Sequence, residues 1–355
     1  MKLAVISLQS KSSEMLVEAS KKYFDQVDSI DLKQIEVIVK DKAEVIYEGK
    51  PLQHYDCVYC RGSSKYVLLL RSITEILYDE SYMPLKPESF TIGHDKFLTQ
   101  LGLQKQKVDM PRTYLAATTD KAKEIIARIH YPAIIKLPSG THGKGVMFAD
   151  SRDSASSILD TLEIFKQAYI IQEFVDTDGT DVRVFVVGNK VVASMRRKAA
   201  KGDKRSNLHS GGQAESLTLD YSTEQLAIKS SKAINADVSG VDILQGASPL
   251  VIEVNTSPGL QGITTATKVD VADKIAKFLH KKTSEFSSSK KKTHYSDILK
   301  EINKPSGSKE IITNLDMKLG KIRLDSTITK MTGFSPEDEV AIVVDKGKII
   351  IEKHK

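Results

Sequence analysis

The chain has no tryptophan, only two cysteines and no long apolar run among its 355 residues. A membrane-spanning helix needs about 20 consecutive apolar residues, and no stretch approaches that length, so we expect no membrane partner. The first residues, MKLAVISLQ, lack a long apolar segment followed by small residues at a cleavage site. No secretory signal is therefore expected, and these absences together predict a cytoplasmic protein.

The two cysteines, Cys57 and Cys60, form the motif CVYC, whose spacing suggests a redox pair or half of a zinc site. The surrounding segment YDCVYC is typical of a strand, in which residues three apart point to opposite faces. No second pair of cysteine or histidine residues lies nearby in the sequence, as a zinc site would require. We therefore expect two reduced cysteines within a strand.

The net charge of +6 suggests at first a nucleic-acid-binding protein, but the positive charge is confined to one segment. Residues 281–310 hold eight Lys or Arg and four Asp or Glu, whereas residues 311–355 hold eight and seven. Of the 52 basic and 46 acidic residues in the chain, 36 and 35 therefore remain in residues 1–280. This near-neutral body argues against a basic groove for nucleic acid.

The first 90 residues predict a small α/β domain. Short apolar runs (LAVISL, IEVIV and YDCVYC) alternate with helical stretches such as SSEMLVEASKKYF, a rhythm typical of a parallel sheet with packed helices. No glycine-rich turn follows the first strand, so a dinucleotide-binding function has little support.

The rest of the chain divides into three segments. Residues 91–280 contain strands (YPAIIK, AYIIQEFV and VRVFVVGNKVVASM) and end in the amphipathic helix VDVADKIAKFLHKK, with Gly188-Asn189 as a two-residue hairpin turn. Residues 281–310 are rich in Ser and Lys and predict a flexible linker, with one short helix near Ser296–Ile302. Residues 311–355 return to strands and end in a hairpin turn at Asp345, Lys346 and Gly347.

The segment VSGVDILQGASPLVIEVNTSPG predicts a hairpin that carries two carboxylates. In the simplest four-residue turn Gln245 faces Leu250, and Asp242 then faces Glu253. Like charges directly opposite each other destabilise a hairpin, and Asn255 points to the same face. Two carboxylates and an amide oxygen suit Mg²⁺ or Mn²⁺ bound to phosphates. The alternative is a solvated outer face.

A lysine and a glycine-rich loop in YPAIIKLPSGTHGKGVMFAD are candidates for phosphate binding. Lys136 ends an apolar strand, and Gly140, Gly143 and Gly145 follow it. Glycines let backbone N–H groups approach phosphate oxygens, and the lysine adds a positive charge. The spacing differs from that of a Walker loop, and many hairpin loops also carry glycines, so the loop alone decides little.

Two further segments carry candidate binding residues. Glu173 ends a strand whose backbone suits an adenine and ribose, and Asp181 and Arg183 lie on one face of the next strand; a surface ion pair is the alternative. The segment MRRKAAKGDKRSNLHSGG suits a site where phosphate and carboxylate meet, and a basic loop or a nucleic-acid patch is its alternative. Its cationic residues are Arg196, Arg197, Lys198, Lys201, Lys204, Arg205 and His209.

From HDKFLTQLGL, which begins at His94, to about Leu279, the chain resembles the ATP-grasp superfamily and, within it, the RimK-type amino-acid ligases. The resemblance rests on KRSNLHSGG, VSGVDIL and EVNTSPGL, in that order and at this spacing. It implies an α/β (α+β) ATP-grasp fold over residues 91–280, with central and C-terminal subdomains. Residues 1–90 match the family's Rossmann-like pre-ATP-grasp domain in size and position.

The resemblance also implies a role for each matching residue. Lys96 and Lys136 would contact the ATP phosphates, Glu173 and Phe174 the adenine, and Asp181 the ribose. The full ATP-binding set would be Lys96, Lys136, Gly140, Gly143, Gly145, Glu173, Phe174, Asp181, Arg183, Arg205, Ser206 and Asn207. Arg205 and Lys136 would be the catalytic residues. Asp242, Glu253 and Asn255 would hold two Mg²⁺ or Mn²⁺ ions.

The implied reaction is phosphoryl transfer from ATP to a carboxylate, followed by attack of an amine on the acyl phosphate. The segments RSNLHSGG and NTSPGL resemble the glutamate-adding branch of the family, so L-glutamate is the expected amino acid. A protein C-terminus, a peptide or a coenzyme would each serve as the carboxylate acceptor.

The tail, residues 311–355, resembles an AbrB-like swapped-hairpin domain, which departs from the simple RimK-type plan. Such domains bind DNA or serve as dimerisation modules, and the small net charge of the tail favours dimerisation. We therefore expect a homo-oligomer, a dimer or a tetramer. The alternative function is a DNA-binding regulator whose ligase-like body senses a nucleotide or an amino acid.

Overall fold

In the computed structural model the chain divides into two compact units, residues 1–284 and residues 285–355. The structure describes residues 1–138, 145–199, 213–302, 316–318, 321–324, 328, 332–335, 337–346 and 348–354. Within these residues, no helix combines the length and the apolar character that crossing a membrane requires.

A parallel three-stranded sheet forms the centre of the N-terminal layer. β1 (Lys2–Ser7) lies between β2 (Gln26–Asp31) and β6 (Cys57–Cys60). β1 is almost entirely apolar and buried from Leu3 onward, as expected for a strand covered on both faces. Helix α1 (Lys11–Ser20) begins at the capping residue Ser10, whose side chain accepts a hydrogen bond from the backbone of Ser13.

The two cysteines are free and buried in β6, which confirms the prediction of reduced strand cysteines. Burial raises the pKa of the Cys57 thiol to about 12 and raises that of Cys60 as well. Both side chains are therefore protonated packing residues.

The apolar run IEVIV does not join the parallel sheet, contrary to the sequence-based expectation. It forms β3 (Ile35–Val39), which pairs with β4 (Ala43–Tyr47) and β5 (Lys50–Pro51) in a separate antiparallel sheet. The parallel position belongs to β2, whose sequence QVDSID is too polar to be recognised as a strand. Its backbone pairs along all six residues of β1, and this pairing outweighs the weak strand propensity.

Three helices follow the N-terminal sheet: α2 (Val67–Leu77), α3 (Pro87–His94) and α4 (Lys96–Lys105). α3 has Pro87 in its first turn, where the missing N–H costs nothing. α4 begins at Asp95, whose carboxylate accepts hydrogen bonds from the backbone N–H groups of Phe97 and Leu98. This cap holds Lys96 at the first position of the helix.

An antiparallel four-stranded sheet follows, in the order β7 (Thr113–Tyr114), β10 (Ile170–Glu173), β8 (Ala133–Lys136) and β9 (Val146–Ala149). α5 (Thr119–Ile126) and α6 (Arg152–Ile164) accompany it. Their apolar faces and the sheet form a separate hydrophobic core. The predicted strands YPAIIK and AYIIQEFV are confirmed as β8 and β10.

An antiparallel five-stranded sheet completes the unit, in the order β13 (Gln213–Ser216), β12 (Lys190–Lys198), β11 (Thr180–Val187), β14 (Val238–Gln245) and β15 (Pro249–Asn255). α7 (Tyr221–Ala233) and α8 (Gln261–Thr267) accompany it. The predicted turn between β11 and β12 is confirmed: Gly188 has φ +62°, and a Cβ there would lie 2.5 Å from the Phe278 ring. Glycine is therefore required twice, by the backbone and by packing.

The N-terminal layer and the five-stranded sheet share one continuous hydrophobic core. The hydrophobic core is thus continuous across the predicted domain boundary near residue 90. Residues that the sequence divides between two domains are buried together, and the four-stranded sheet has the separate core.

Helix α9 (Val271–Ile302) is longer than the sequence suggests. It contains the predicted amphipathic helix and the short helix near Ser296–Ile302, and it continues through residues predicted as flexible linker. Serine and lysine are tolerated inside helices, and neither proline nor glycine occurs between Val271 and Pro305. The remaining linker residues, 303–310, lie outside the described part of the chain.

The tail contains two antiparallel pairs, β16 (Asp316–Lys318) with β17 (Lys321–Arg323), and β18 (Val340–Asp345) with β19 (Lys348–Lys353). The predicted terminal hairpin is therefore confirmed, although Gly347 lies outside the described residues. Its apolar side chains are exposed on both faces, with Ile342 at 58%, Val343 at 60% and Val344 at 73%. An isolated two-stranded hairpin is marginally stable at best, and exposed apolar strands of this kind favour association.

We predict that the tail associates with a second copy of itself. The full chain should sediment as a larger assembly than a chain ending at Ser284, and the melting temperature of the full chain should rise with its concentration. Val344→Lys should reduce the assembly because it places a charge on the most exposed apolar position of β18. Equal assembly of the full and shortened chains would contradict this prediction, and Lys346→Glu, outside the apolar surface, is the control.

Candidate active site

The hairpin β14–β15 differs from its predicted register at the turn. Gln245 pairs with Pro249, so the prediction that Gln245 faces Leu250 is wrong. The turn contains three residues rather than four, because β15 begins at Pro249 itself.

A β-bulge restores the predicted carboxylate pair. Ile243 pairs with Val251 and Asp242 pairs with Glu253, so Ile252 is the extra residue. Because side chains alternate along a strand, a single insertion returns the remaining residues to the other face. The prediction that Asp242 lies directly opposite Glu253 is therefore confirmed, although for a different reason.

Two arginines on the neighbouring strands hold Asp242. Arg183 Nε donates to Asp242 Oδ1 over 2.7 Å, and a terminal Arg183 nitrogen donates to Oδ2 over 2.5 Å. Arg197 lies 3.0 Å from the same Oδ2 and also donates two hydrogen bonds of 2.6 Å to the carboxylate of Asp181. We call these four residues, Asp181, Arg183, Arg197 and Asp242, the charge ladder; it crosses β12, β11 and β14.

The charge ladder keeps Asp242 ionised. Burial opposes its negative charge, but Arg183 and Arg197 more than offset that effect, so the pKa of Asp242 lies below its ordinary value. Glu253 behaves in the opposite way: burial, and then the charge of Asp242, raise its pKa above the ordinary value. The pair therefore has one carboxylate whose charge is compensated and one, Glu253, whose ionised form remains disfavoured.

This pair fits a divalent cation. Burial and a neighbouring like charge disfavour the ionised form of a carboxylate. An added cation therefore has its largest stabilising effect at such a group. When the oxygen and nitrogen of its side-chain amide are exchanged, Asn255 donates to Glu253 Oε1 over 3.2 Å and accepts from Arg183 over 3.3 Å. Within the described ranges no three His, Cys, Asp or Glu side chains form a metal-binding cluster, so a third protein ligand beside the two carboxylates would be an amide, as predicted for Asn255.

Lys136 lies at the end of β8, where its ammonium donates to Gln172 over 2.6 Å. Gln172 in turn donates to Thr113 over 2.8 Å, so the lysine is held by a short polar chain across the sheet. Burial lowers the pKa of Lys136 to about 8; the nearby charge of Glu253 opposes this shift, and that of Lys96 adds to it. Both lysines also lower the pKa of Glu253, so β8 of the four-stranded sheet and the start of α4 each present a cation to the carboxylate pair.

Lys96 reaches this position through the backbone. Its N–H donates to the carbonyl of Pro138 over 3.2 Å, which ties the start of α4 to the chain just beyond β8. The two lysines expected at the ATP phosphates thus both lie where their charges lower the pKa of Glu253.

Glu173 and Phe174 lie together at the end of β10. Tyr114 donates to Glu173 over 3.2 Å, and Arg112 lies 3.6 Å from the same oxygen. Phe174 packs edge-on against Phe148, with ring centroids 5.4 Å apart. Sequence reasoning missed Arg112 and Tyr114; the Cα pairing of Ile171 with Tyr114 is what brings this side of the sheet together.

Asp181 is buried, and both of its oxygens accept hydrogen bonds from Arg197. A surface ion pair with Arg183 is therefore wrong, and the ribose contact stays a prediction. Sequence reasoning placed Arg197 only in a general basic segment. The predicted hairpin indicated that this segment pairs with the strand that carries Asp181, and the observed register places Arg197 opposite Asp181.

The other predicted residues divide into described and undescribed ones. Gly145 has φ +77°, and its carbonyl accepts from Leu137 N, so it closes the phosphate-loop candidate at the start of β9. Arg196 pairs with Glu215 over 3.0 Å at the surface. The residues outside the described part of the chain are Gly140, Gly143, Lys201, Lys204, Arg205, Ser206, Asn207 and His209.

Comparison with known proteins gives one family. The RimK-like ATP-grasp domain matches residues 93–279. The chain is 37% identical over 287 residues to a "Probable alpha-L-glutamate ligase" of Thioalkalivibrio sulfidiphilus, spanning 79% of this chain and 95% of that protein. It is 35% identical over 294 residues to a protein of the same name from Klebsiella pneumoniae, spanning 81% and 98%.

Solved structures show the same fold at low identity. The ATP-grasp ligase PsnB, complexed with a minimal precursor, Mg and ADP, has a TM-score of 0.62 at 16% identity, covering 80% of this chain and 98% of PsnB. A RimK domain protein ATP-grasp from Sphaerobacter thermophilus has a TM-score of 0.62 at 17% identity, covering 78% and 99%. At these identities the likeness concerns the fold alone.

We predict that the carboxylate pair binds Mn²⁺ or Mg²⁺. Glu253→Gln and Asp242→Asn should each weaken Mn²⁺ binding, measured by electron paramagnetic resonance, by about tenfold or more because each removes a charged oxygen ligand. Glu215→Gln, an exposed carboxylate on β13 of the same sheet, is the matched control and should bind as the unaltered chain does. Unchanged Mn²⁺ affinity in both site variants would rule out this assignment.

The lowered pKa of Lys136 predicts a pH dependence of nucleotide binding. The side chain is charged below about pH 8 and loses its charge above it, so the affinity for ATP should fall by up to about tenfold per pH unit above 8. Lys136→Arg should remove this decline because arginine stays charged. The measurement is ATP affinity by calorimetry from pH 6.5 to about 9.5, and a flat profile for the unaltered chain would exclude this role of Lys136.

Proposed function

The chain belongs to the RimK-like ATP-grasp family and is an ATP-grasp ligase that forms C–N bonds, and from this we propose that it adds an amino acid, L-glutamate, to a carboxylate with ATP as the energy source. The observation that carries the proposal is the arrangement around Glu253. Asp242 lies directly opposite it, and the charges of Lys96 at the start of α4 and Lys136 at the end of β8 act on it. Two carboxylates and two lysines at one place suit a nucleoside triphosphate with its divalent ions.

The described residues have distinct parts in this proposal. Lys136 and Lys96 bind the ATP phosphates, and Gly145 ends the glycine-rich segment that the family resemblance assigns to the same phosphates. Glu173 and Phe174 bind the adenine. Arg112 and Tyr114 hold the carboxylate of Glu173 in place on that side of the sheet. The family resemblance assigns Arg205, Ser206 and Asn207 to the γ-phosphate, with Arg205 catalytic.

Asp242, Glu253 and Asn255 would hold Mg²⁺ or Mn²⁺, which supplies positive charge to the phosphate oxygens. The charge ladder orients Asp242 for this purpose: Arg183 and Arg197 fix both of its oxygens and keep it ionised. Because Asp181 anchors Arg197, we assign Asp181 to positioning within the ladder rather than to the ribose.

The proposed reaction has two steps. A carboxylate oxygen of the acceptor attacks the γ-phosphorus of ATP, the bond to the β,γ-bridging oxygen breaks, and ADP leaves with the electron pair. The amine of L-glutamate then attacks the acyl carbon, the C–O bond to phosphate breaks, and the ammonium proton passes to solvent as the amide forms. Catalysis by the chain consists of positioning and charge neutralisation, so no covalent nucleophile of the protein takes part.

The names of the relatives support L-glutamate as the added amino acid. Several similar structures are peptide complexes, including PsnB with a minimal precursor and a RiPP-associated ATP-grasp ligase with a leader and core peptide. These complexes favour a peptide or a protein C-terminus over a coenzyme as the acceptor.

The test is the identity of the products. With L-glutamate, Mg²⁺ and an acceptor peptide, the chain should release ADP and phosphate and should lengthen the peptide by one or more glutamate residues, measured by mass spectrometry. Hydroxylamine in place of L-glutamate should trap the activated carboxylate as a hydroxamate. Glu253→Gln should reduce ADP release by orders of magnitude, whereas Glu215→Gln should not change it.

Two outcomes would contradict the proposal. Release of AMP and pyrophosphate would indicate an adenylating enzyme and a different intermediate. Retention on a specific DNA at physiological salt, without ATP turnover in the presence of amino acids and cell extract, would favour the DNA-binding regulator instead.

A further inference from the structure

The parallel sheet of the N-terminal layer has a topological switch point that faces the active-site hairpin. β1 lies in the middle, the chain leaves it toward β2 on one side, and β6 lies on the other. In open α/β sheets ligands bind outside the carboxyl ends of the strands at such a point. The residues that follow β1 and β6 there are Leu8–Ser12 and Arg61–Gly62.

Arg61 lies at this switch point and has an unusual environment. Its side chain is buried, with 4% exposure, and within the described residues no carboxylate forms an ion pair with it. One terminal nitrogen donates to Tyr59 over 3.2 Å and the other donates to the carbonyl of Pro258 over 2.7 Å, but Nε–H has no partner. A buried guanidinium with an unsatisfied donor and no counter-ion is rare in folded proteins.

The same place adjoins the proposed metal residues. Gly62 N donates to Ser257 over 3.0 Å, and Leu260 N donates to the hydroxyl of Ser12 over 2.9 Å. With Arg61 on Pro258, the N-terminal layer thus holds the loop that directly follows Asn255.

The loop itself folds back against β14. A Cβ at Gly240 would lie 2.9 Å from Pro258, so the proline packs where Gly240 pairs with Asn255. At Gly259, by contrast, a Cβ would meet only the hydroxyl of Ser12, at 4.0 Å. The surface of the loop is therefore open at Gly259, between the end of β1 and the active-site hairpin.

We propose that Arg61 is a carboxylate-binding residue that holds the non-reacting carboxylate of a substrate beside the carboxylate pair. The proposal rests on the ligase function above, because such a reaction places two carboxylate-bearing partners next to the phosphates. A carboxylate oxygen accepts from Nε–H and supplies the missing counter-charge, and its second oxygen accepts from the remaining N–H of a terminal nitrogen, the two-point geometry that guanidinium favours.

The carboxylate has two possible sources, the added amino acid and the acceptor. L-Glutamate keeps both of its carboxylates when its amine reacts, and an arginine that holds one of them directs the amine. A peptide ending in glutamate activates one carboxylate and leaves the other for Arg61. L-Glutamate and a short peptide with a C-terminal glutamate are therefore the two probes.

The experiment compares the unaltered chain with Arg61→Lys and Arg61→Gln. In turnover, each variant should raise the KM of one probe by about 10- to 100-fold, the loss of one or two charge-assisted hydrogen bonds, while the KM for ATP stays within about twofold. Lysine keeps the charge but not the two-point geometry, so Arg61→Lys should recover only part of the loss. Arg71→Lys, an exposed arginine on α2 that bonds Thr91, is the control.

A second measurement separates this proposal from the ligase function. Without ATP, a saturating concentration of the bound probe should raise the melting temperature of the unaltered chain and of Arg71→Lys, but not that of Arg61→Gln. The absence of products with normal probe stabilisation would contradict the ligase function and leave the arginine subsite standing. The subsite proposal would be wrong if neither probe stabilised the unaltered chain. It would also be wrong if the Arg61 variants raised the KM values of ATP and of both probes equally.

Discussion

The active site depends on the compensation of a buried carboxylate pair. Asp242 and Glu253 lie directly opposite each other, and two uncompensated buried anions at this separation would destabilise the five-stranded sheet. Arg183 and Arg197 form their ion pairs with Asp242 rather than with Glu253, and the pKa of Glu253 remains raised. The sheet is thereby stable while retaining one carboxylate that gains most from an added cation. Structural stability and the proposed metal binding follow from the same asymmetry.

The rest of the molecule brings further charges to this pair from separate elements. The four-stranded sheet, which has its own core, contributes Lys136 at the end of β8, and the cap of α4 contributes Lys96. The N-terminal layer shares its core with the five-stranded sheet and contributes Arg61. Because the cores differ in this way, the carboxylate pair and Arg61 belong to one packed body, whereas Lys136 lies on a body with separate packing. In the proposed function, the nucleotide is bound between the two: Lys136 and Glu173 come from the four-stranded sheet, and the metal residues come from the five-stranded sheet.

The unit from residue 285 onward differs in leaving apolar strand residues exposed. Its terminal hairpin exposes apolar side chains on both faces, which no antiparallel pair can bury alone. The hairpin therefore needs a covering surface, and a second copy of the same hairpin offers one with matching shape and apolar character.

The sequence by itself determined the family and the strands of the ATP-grasp region, because local motifs and alternation carry that information. It also predicted that Asp242 faces Glu253, but from a four-residue turn that the structure replaces with a three-residue turn and a bulge. It also predicted Lys96, Lys136, Glu173 and Asn255 through the family motifs. Only the tertiary structure decided that IEVIV leaves the parallel sheet in favour of the polar β2, since strand pairing outweighs local propensity. It likewise decided that a bulge at Ile252 sets the register, that Asp181 serves Arg197, and that Arg61 lies buried without a counter-ion. These features depend on contacts between residues far apart in the chain, and no local pattern encodes which charge meets which.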